Sequence, residues 1–247
     1  MSHHIVEFKD VFFRYPDGTE ALREIHFRIV HGESVGVVGA NGAGKSTLLQ
    51  HMNGYLMPTS GTVTIGDVVL TKKTRREIRK KVGVVFQNPD DQLFMPTVFD
   101  DVAFGPLNLG LDEASVRERV HQALSVVRSL DLRDKPPHHL SAGQKSAVAI
   151  ASVMAMEPDI LAMDEPAANL DPRSRRSLIT LLKTFKHSKI IASHDLDLIL
   201  DVCGRCIVMR DGRVVADGPS AEILSDRSLL EENDLELPLS LQRQVMA

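Results

Sequence analysis

Cysteine is scarce in this 247-residue chain, which contains two cysteines and no tryptophan. The two cysteines, Cys203 and Cys206, form a C-x-x-C pair without a Trp-Cys redox context, and no further cysteine is available to complete a metal site. We therefore expect two small hydrophobic residues at the edge of a strand that runs from Cys206 to Met209. A reducing, cytoplasmic setting is the default expectation for such a chain.

Long apolar runs are also absent, since no stretch reaches the roughly 18 to 20 residues needed to span a bilayer. The longest candidate, Ala147 to Met156, contains Ser152 and ends at Glu157-Pro158, which predicts a buried helix. The first residues lack a basic region followed by an apolar core, so we expect no secretion signal. With 43% hydrophobic and 25% charged residues, the composition is that of an ordinary soluble globular protein.

No excess of positive charge indicates a nucleic-acid partner, because 29 basic and 33 acidic residues give a net charge of −4. One basic run, residues 72–81, has seven cationic residues among its ten. It lacks the interleaved aromatic side chains on which bases stack. We expect a solvated helix there, and no nucleic acid among the partners.

Strand-like and helix-like segments alternate along the chain. Apolar runs bounded by turn residues predict strands near residues 5–15, 25–30, 35–38, 61–70, 82–86, 160–163 and 189–192, and a hairpin over 206–216. Helical patterns cover residues 46–53, 113–130, 147–156, 173–185 and 196–202. This order predicts an α/β fold with a mostly parallel, doubly wound core and an attached antiparallel β layer.

Residues from about Asn88 to His139 differ from the rest of the chain, with five prolines and a long helical stretch. We expect a helical subdomain at about 88–155, inserted into a single domain of residues 1–225. A polar C-terminal extension follows over residues 226–247.

A glycine-rich loop follows the predicted strand at 35–38 and precedes the helix at 46–53. It matches G-x-x-x-x-G-K-[ST] at every fixed position and consists of Gly39, Ala40, Asn41, Gly42, Ala43, Gly44, Lys45 and Ser46, followed by Thr47. Glycines let backbone N–H groups curl around phosphate oxygens, and the helix N-terminus adds partial positive charge. Lys45 is expected to neutralise the β and γ phosphates of a nucleotide, and the Ser46 hydroxyl to bind Mg²⁺.

Two acids, Asp164 and Glu165, end the predicted strand at 160–163. Ligands bind at the carboxyl ends of strands in such sheets, so both acids are expected near the phosphate loop. Asp164 suits Mg²⁺ coordination, and Glu165 suits a general base that polarises an attacking water.

Five further motifs occur in the same order along the chain as in the ABC ATPases, and together they give the chain a specific resemblance to that family. Leu140 to Gln144 resembles their L-S-G-G-Q signature, 23 positions before Asp164 (164 − 141). Gln87 resembles the Q-loop glutamine, and Ala168 to Asp171 the D-loop. His194 resembles the switch histidine, and Tyr15 the aromatic residue under adenine.

The resemblance covers about residues 5 to 225 and implies a P-loop, RecA-like core with a helical signature subdomain. It further implies an ATPase in which two such domains pair head to tail. Tyr15 and the loop residues, with Gln87, Asp164, Glu165 and His194, would hold ATP. Ser46, Gln87 and Asp164 would hold Mg²⁺. Lys45, Gln87, Glu165 and His194 would serve catalysis. The residues that would act on the partner's nucleotide are Ser141, Ala142, Gly143, Gln144 and Asp171.

Ala142 departs from the family's usual glycine. A methyl group is tolerated if φ stays negative, so we expect activity to survive.

The segment from Phe86 to Phe94 resembles the energy-coupling-factor branch of the family, which drives the uptake of small solutes. Residues 96–106 and 191–198 look most like the cobalt and nickel importer ATPases, CbiO and NikO, although vitamin-uptake relatives share much of this pattern. That branch implies a transmembrane coupling subunit, a substrate-specific membrane subunit and a location at the cytoplasmic face of the membrane. Candidate residues for the surface that receives the coupling subunit are Asp90, Asp91, Gln92 and Phe94.

Two copies are expected to pair with each other, since one chain carries every motif, and pairing with a sister ATPase is the alternative. Some ABC ATPases act on DNA or ribosomes instead of transporting. Those chains usually carry two ATPase domains or long coiled-coil arms, whereas this chain has one phosphate loop and a short insertion. Phe94 has an alternative interpretation of its own, as a core residue of the helical subdomain.

Overall fold

The computed structural model describes residues 4–168, 170–185 and 187–245. Two sheets organise the molecule. The first is antiparallel with strand order β2-β1-β4-β5, and its strands are β1 His4–Arg14, β2 Glu20–Val30, β4 Ser60–Ile65 and β5 Val68–Val69. The second has strand order β10-β9-β3-β8-β7-β6 and contains β3 Ser34–Val38, β6 Val82–Val85, β7 Ile160–Asp164, β8 Ser188–Ala192, β9 Arg205–Arg210 and β10 Arg213–Pro219.

Five strands of the second sheet run parallel, and β10 closes its edge antiparallel to β9. Successive residues of β7 alternate between two hydrophobic clusters: Ile160 and Ala162 face one, Leu161 and Met163 the other. Both faces of this sheet are therefore buried, as a parallel sheet requires. The cluster on one face includes the antiparallel sheet, and the cluster on the other consists largely of helices.

In the described ranges, ten α-helices connect or flank the strands. They are α1 Lys45–Met52, α2 Arg75–Lys81, α3 Val98–Asn108, α4 Glu113–Val126, α5 Ala142–Met154, α6 Pro172–Thr184, α7 Leu196–Val202, α8 Ser220–Ile223, α9 Arg227–Glu232 and α10 Leu239–Val245. Helices α3, α4 and α5 pack on one another as a helical subdomain, and α5 leads back into the sheet at β7. The predicted α/β fold with an antiparallel layer and helical subdomain is confirmed.

Several strands and helices begin or end at residues other than those predicted from the sequence. Strand β2 begins at Glu20 rather than residue 25, because Leu22 and Glu20 pair with Phe13 and Arg14 across the turn. The helix predicted to reach residue 130 ends at Val126, and the chain reverses at Arg128, whose φ is +56°. The basic run forms the short helix α2, with only Ile78 of that helix buried, as the predicted solvated helix requires. Cys203 and Cys206 are free and buried, and burial raises the pKa of each thiol to about 12, so both are inert.

Candidate nucleotide-binding and hydrolysis site

Three neighbouring strands bring the predicted site residues to one edge of the parallel sheet. Val37 in β3 and Asp164 in β7 both pair with Ala192 in β8. The glycine-rich loop, the two acids and His194 therefore emerge side by side, although they are far apart in sequence. They line one cleft of about 770 Å³ together with Tyr15, Gln87 and residues of β2.

The glycine-rich loop wraps the start of α1, as the motif predicts. Gly44 caps this helix with φ +103°, and a Cβ there would stand 2.6 Å from the carbonyl of Ala21, so only glycine fits. The Lys45 ammonium is buried and donates to the carbonyls of Gly39 (2.7 Å) and Ala40 (3.1 Å). Burial lowers its pKa, while Glu165 and Asp164 oppose that shift. Lys45 thus lies inside the loop with one N–H donor still available for phosphate.

Asp164 has the properties of a magnesium ligand. Its Oδ1 is buried without any hydrogen-bond partner. Burial raises the pKa of this carboxyl, a hydrogen bond from Ser46 lowers it, and neighbouring Glu165 raises it further. A buried carboxylate oxygen beside a hydroxyl is the hard oxygen donor set that Mg²⁺ prefers. Asp164 and Ser46 therefore fit the ion that the motifs predict.

Glu165 and the segment after β8 form one hydrogen-bonded unit. Glu165 is 7% exposed and has φ +46°. Its carboxylate accepts hydrogen bonds from the Ser193 hydroxyl (3.0 Å) and the His194 backbone N–H (3.0 Å), and the Nδ1 of His194 lies 2.9 Å from Oε2. The His194 ring remains 65% exposed at the mouth of the cleft. The carboxylate is thus oriented, and the imidazole can reach a ligand.

Tyr15 also lines the cleft. Its hydroxyl lies 3.0 Å from the Thr47 hydroxyl, and its ring packs edge-on against Phe13 with centroids 4.8 Å apart. The ring is only half-buried, so a face is available to a base. Gln87, just beyond β6, lines the same cleft and is exposed. Of the predicted nucleotide contacts in cis, Ala43 alone is not among the lining residues.

The signature residues lie elsewhere. Ser141, Gly143 and Gln144 line a second cleft of about 800 Å³ that shares no residue with the first. Ser141 and Gln144 form a capping box at the start of α5, with the Ser141 N–H donating to Gln144 Oε1 at 2.9 Å. Ala142 is the first residue of α5 and is not among the residues with positive φ, so its methyl group is tolerated as expected.

Asp171 caps α6 by accepting hydrogen bonds from the backbone of Arg173 and Ser174. Asn169, in the same D-loop motif, lies outside the described residues. A Cβ on Gly143 would stand 2.3 Å from the Ser174 hydroxyl. The start of α5 therefore approaches α6 as closely as glycine permits, and the signature and D-loop residues share one face.

Of the four residues predicted for a partner surface, two are exposed, and the other two bond to α5 through their side chains. Phe94 is 63% exposed and meets Phe104 of α3 edge-on at 5.1 Å, and Asp91 is also exposed. Asp90 pairs with Lys145 at 2.6 Å. The Gln92 amide is used internally, because it donates to the Ala149 carbonyl (2.7 Å) and Ser152 hydroxyl (2.9 Å).

Sequence reasoning missed two features of this region. The guanidinium of Arg175 in α6 makes a bidentate pair with Asp195, the residue after His194, at 2.6 and 2.8 Å. Asp234 and Leu235 from the C-terminal extension line the nucleotide cleft. The S-H-D sequence could have directed attention to Asp195, but no local signal indicates either its partner or the path of the extension.

Comparison with known proteins identifies the family. A family model described as ABC transporter matches residues 22–168, more than half of the chain. The chain belongs to the ABC transporter family. A Geobacter sulfurreducens protein that carries the name of an ABC transporter ATP-binding protein is 62% identical over 98% of this chain and 97% of its own length. The energy-coupling factor transporter ATP-binding protein EcfA of Methanocaldococcus jannaschii is 48% identical over 95% of this chain and 86% of its own.

Solved structures agree with these relatives. The Clostridium perfringens protein cbiO1, described as part of the ABC transporter complex cbiONQ, superimposes with a TM-score of 0.84 at 38% identity, covering 99% of both chains. An ATP-binding cassette solved as a dimer with ADP and Pi has a TM-score of 0.78 at 28% identity, covering 87% of this chain and 98% of its own. The chain is accordingly an ABC ATPase whose hydrolysis of ATP is coupled to transport. Within the described ranges, no helix has the length and apolar character needed to cross a membrane.

Proposed function

We propose that this ABC ATPase is the energy-supplying subunit of an energy-coupling-factor importer that takes up cobalt or nickel ions. The likeness to cbiO1 over 99% of both chains carries the proposal, and EcfA-named relatives support the branch. No three His, Cys, Asp or Glu side chains converge on a metal site in the described part of the chain. In this proposal the membrane subunits bind and translocate the ion, and this subunit supplies the energy by hydrolysing ATP.

In the proposed reaction, the phosphate loop and Lys45 hold the phosphates of ATP. Asp164, Ser46 and Gln87 would hold Mg²⁺, which would supply charge neutralisation at those phosphates. Glu165 takes the proton of the attacking water, because its carboxylate is fixed by Ser193 and the backbone of His194. The exposed His194 ring orients the γ-phosphate. These assignments are supported by the convergence of the side chains on one cleft.

The separation of the two clefts supports a head-to-tail dimer. Ser141, Gly143 and Gln144 lie together with α6 but away from the phosphate loop of their own chain. A second copy, turned to face the first, would bring its signature to the open side of the nucleotide. Because one chain carries both halves of the site, a homodimer suffices.

The surface around Phe94 is the proposed docking site for the transmembrane coupling subunit. Phe94 and Phe104 form an exposed aromatic pair. Beneath them the carboxylate of Asp101 is 4% exposed and accepts from the backbone of Phe94 and Met95, both at 3.0 Å. Burial raises the pKa of Asp101, and these backbone hydrogen bonds oppose the shift. The Phe94 loop is thus rigidly held by α3, which suits a lever that transmits force. A coupling helix with apolar and basic residues would complement this surface and the exposed Asp91.

Uptake assays with the reconstituted complex test the transported solute. Vesicles that contain the ATPase and its membrane subunits should accumulate cobalt or nickel when ATP is present, and the Glu165→Gln variant should abolish that uptake. ATP-dependent uptake of a vitamin without metal uptake would assign the chain to the vitamin importers instead.

The double variant Asp91→Ala with Phe94→Ala tests the docking surface. It should fold and bind ATP but fail to assemble with the membrane partner or to drive uptake. A matched control is Glu113→Ala with Tyr55→Ala, which removes an acid and an equally exposed aromatic side chain elsewhere. Retained assembly and uptake would place the coupling contact outside this surface. Because Phe94 is exposed rather than a core residue, unfolding would show that its contact with Phe104 serves stability instead of docking.

A further inference from the structure

One wall of the nucleotide cleft comes from the C-terminal extension. Asp234 and Leu235 line the cleft alongside the phosphate loop, Asp164, Glu165 and His194. We infer that Asp234 and Leu235 are part of the nucleotide site, and that the ion pair between Arg210 and Asp234 sets how strongly this site holds an anionic nucleotide. The inference rests on the proposed binding of ATP at the phosphate loop.

The extension is held in place by burial. Leu230 in α9 is completely buried in the helical cluster, and Leu235 and Leu237 pack against the same cluster. Asn233 is 7% exposed and donates from its side chain to the Leu229 carbonyl at 2.7 Å. A segment fixed by apolar packing on both sides of Asp234 keeps that carboxylate at the cleft.

Arg210, the last residue of β9, holds Asp234 through an ion pair. It ends β9, which pairs with β3 through Val208 and Val38, so its side chain emerges beside the start of the phosphate loop. Its guanidinium lies 3.3 Å from the Asp234 carboxylate and 3.7 Å from that of Asp211, and it donates to the Glu232 carbonyl. Asp234 and Arg210 are 66% and 43% exposed. Asp234 lines the cleft itself, whereas Arg210 acts on the cleft through its ion pair with Asp234.

A second anchor joins the extension to α7, the helix that follows the switch histidine. The carboxylate of Asp197, in the first turn of α7, accepts hydrogen bonds from the backbone N–H groups of Leu239 (2.9 Å) and Ser240 (3.1 Å). Helix α7 begins two residues after His194. The extension therefore runs from the nucleotide cleft to the helix that follows the switch histidine, and it contacts both.

Charge gives the pair a predictable effect on binding. Four carboxylates line the cleft, and two of them, Asp164 and Glu165, already have assigned roles. Asp234 repels an anionic nucleotide, and Arg210 offsets that repulsion through ordinary Coulomb interaction. Removing the Asp234 charge should therefore tighten binding, whereas removing the Arg210 charge should weaken it.

The test is to measure dissociation constants for ATP with the full-length chain and its variants Asp234→Asn, Arg210→Gln and the double variant. Asn suits position 234, because the backbone there has φ +58° and Asn tolerates that region. At low salt we expect Asp234→Asn to tighten binding about two- to fivefold and Arg210→Gln to weaken it by a similar factor, with both effects reduced at 0.5 M salt or above. Free ATP in EDTA should respond more strongly than MgATP, because it carries more negative charge.

The control pair is Lys183 and Asp201, a half-exposed ion pair whose residues do not line the cleft. Lys183→Gln and Asp201→Asn change the net charge equally and should leave ATP affinity within twofold of the unaltered chain. If both Arg210→Gln and Asp234→Asn weaken binding, the pair only holds the extension, and the inference is wrong. Shifts no larger than those of the control pair would also overturn it. Absence of ATP binding by the unaltered chain would instead refute the nucleotide site itself.

Discussion

The bidentate pair between Arg175 and Asp195 offers a direct test of how the switch segment is held. Its two hydrogen bonds measure 2.6 and 2.8 Å, and its side chains are 29% and 24% exposed. Exposed pairs contribute about 0 to 1 kcal/mol, and breaking a fully buried pair costs about 3 to 5 kcal/mol. This pair lies between those limits, so Arg175→Met should lower the free energy of unfolding by about 2 to 3 kcal/mol.

For a chain of this size, such a loss corresponds to a fall in Tm of roughly 4 to 12 °C. Asp195→Asn removes the charge but keeps a side chain that can cap α7, where Asp195 now accepts from the Leu198 N–H at 2.9 Å. Arg175→Met with Asp195→Asn completes a double-mutant cycle, for which we expect a coupling energy of about 1 to 2 kcal/mol. Additive single effects, within about 0.5 kcal/mol, would refute the interaction assigned to the pair.

Acid should remove the contribution of Asp195 selectively. Burial alone would raise the pKa of this carboxyl, but hydrogen bonds from Arg175 and the Leu198 N–H outweigh burial and lower the pKa. A lowered folded-state pKa gives stability that is present above the unfolded-state value of about 4 and is lost as pH falls through the folded-state value. The difference in unfolding free energy between the unaltered chain and Asp195→Asn should therefore shrink as pH is lowered from 7 to 3. A constant difference over this range would contradict the assignment.

Three further substitutions test the site. Glu165→Gln should keep ATP binding and lose turnover in the assembled transporter, because the side chain stays nearly isosteric without its base; near-normal kcat would remove Glu165 from the mechanism. Tyr15→Ala should weaken ATP binding by about 1 to 3 kcal/mol through lost stacking, measured by calorimetry with Tyr15→Phe as the control that keeps the ring. Gly143→Ala should lower the free energy of unfolding by about 1 to 3 kcal/mol, since its Cβ would stand 2.3 Å from the Ser174 hydroxyl. If the midpoint of denaturant unfolding did not change, α5 would be able to shift away from α6 without cost.

Local motifs made much of this site predictable from the sequence. The glycine-rich loop and the pair Asp164 and Glu165 are contiguous in the chain, and the carboxyl ends of parallel strands meet at one edge of the sheet. Tolerance of a methyl group at Ala142 could be predicted from backbone conformation alone, because it requires only a negative φ. In the structure α5 begins at that residue, and its φ is not positive.

The missed contacts join segments that carry no shared local pattern. Arg175 and Asp195 are 20 positions apart, on different helices, and their pairing depends on how α6 and α7 pack. The extension mixes polar and charged residues with six leucines. Four of these leucines alternate with other residues between positions 235 and 241, which is a strand-like period, whereas α10 begins at Leu239. Periodicity therefore did not predict how the extension packs against the core. The internal use of the Gln92 amide likewise depends on the approach of α5, 57 positions away.

These contacts place α6 between the predicted dimer face and the hydrolysis site. Asp171 caps its first turn and belongs to the face that a second subunit would cover, while Arg175, one turn later, holds Asp195. Asp195 adjoins His194, whose backbone and ring contact Glu165. A shift of the D-loop on dimer closure would therefore move a rigid helix that is attached to the residue next to the switch histidine. The decisive comparison is Arg175→Met against Lys183→Gln on the same helix: if α6 transmits closure, only the first should reduce ATP turnover in the assembled transporter while ATP affinity of the isolated chain stays unchanged.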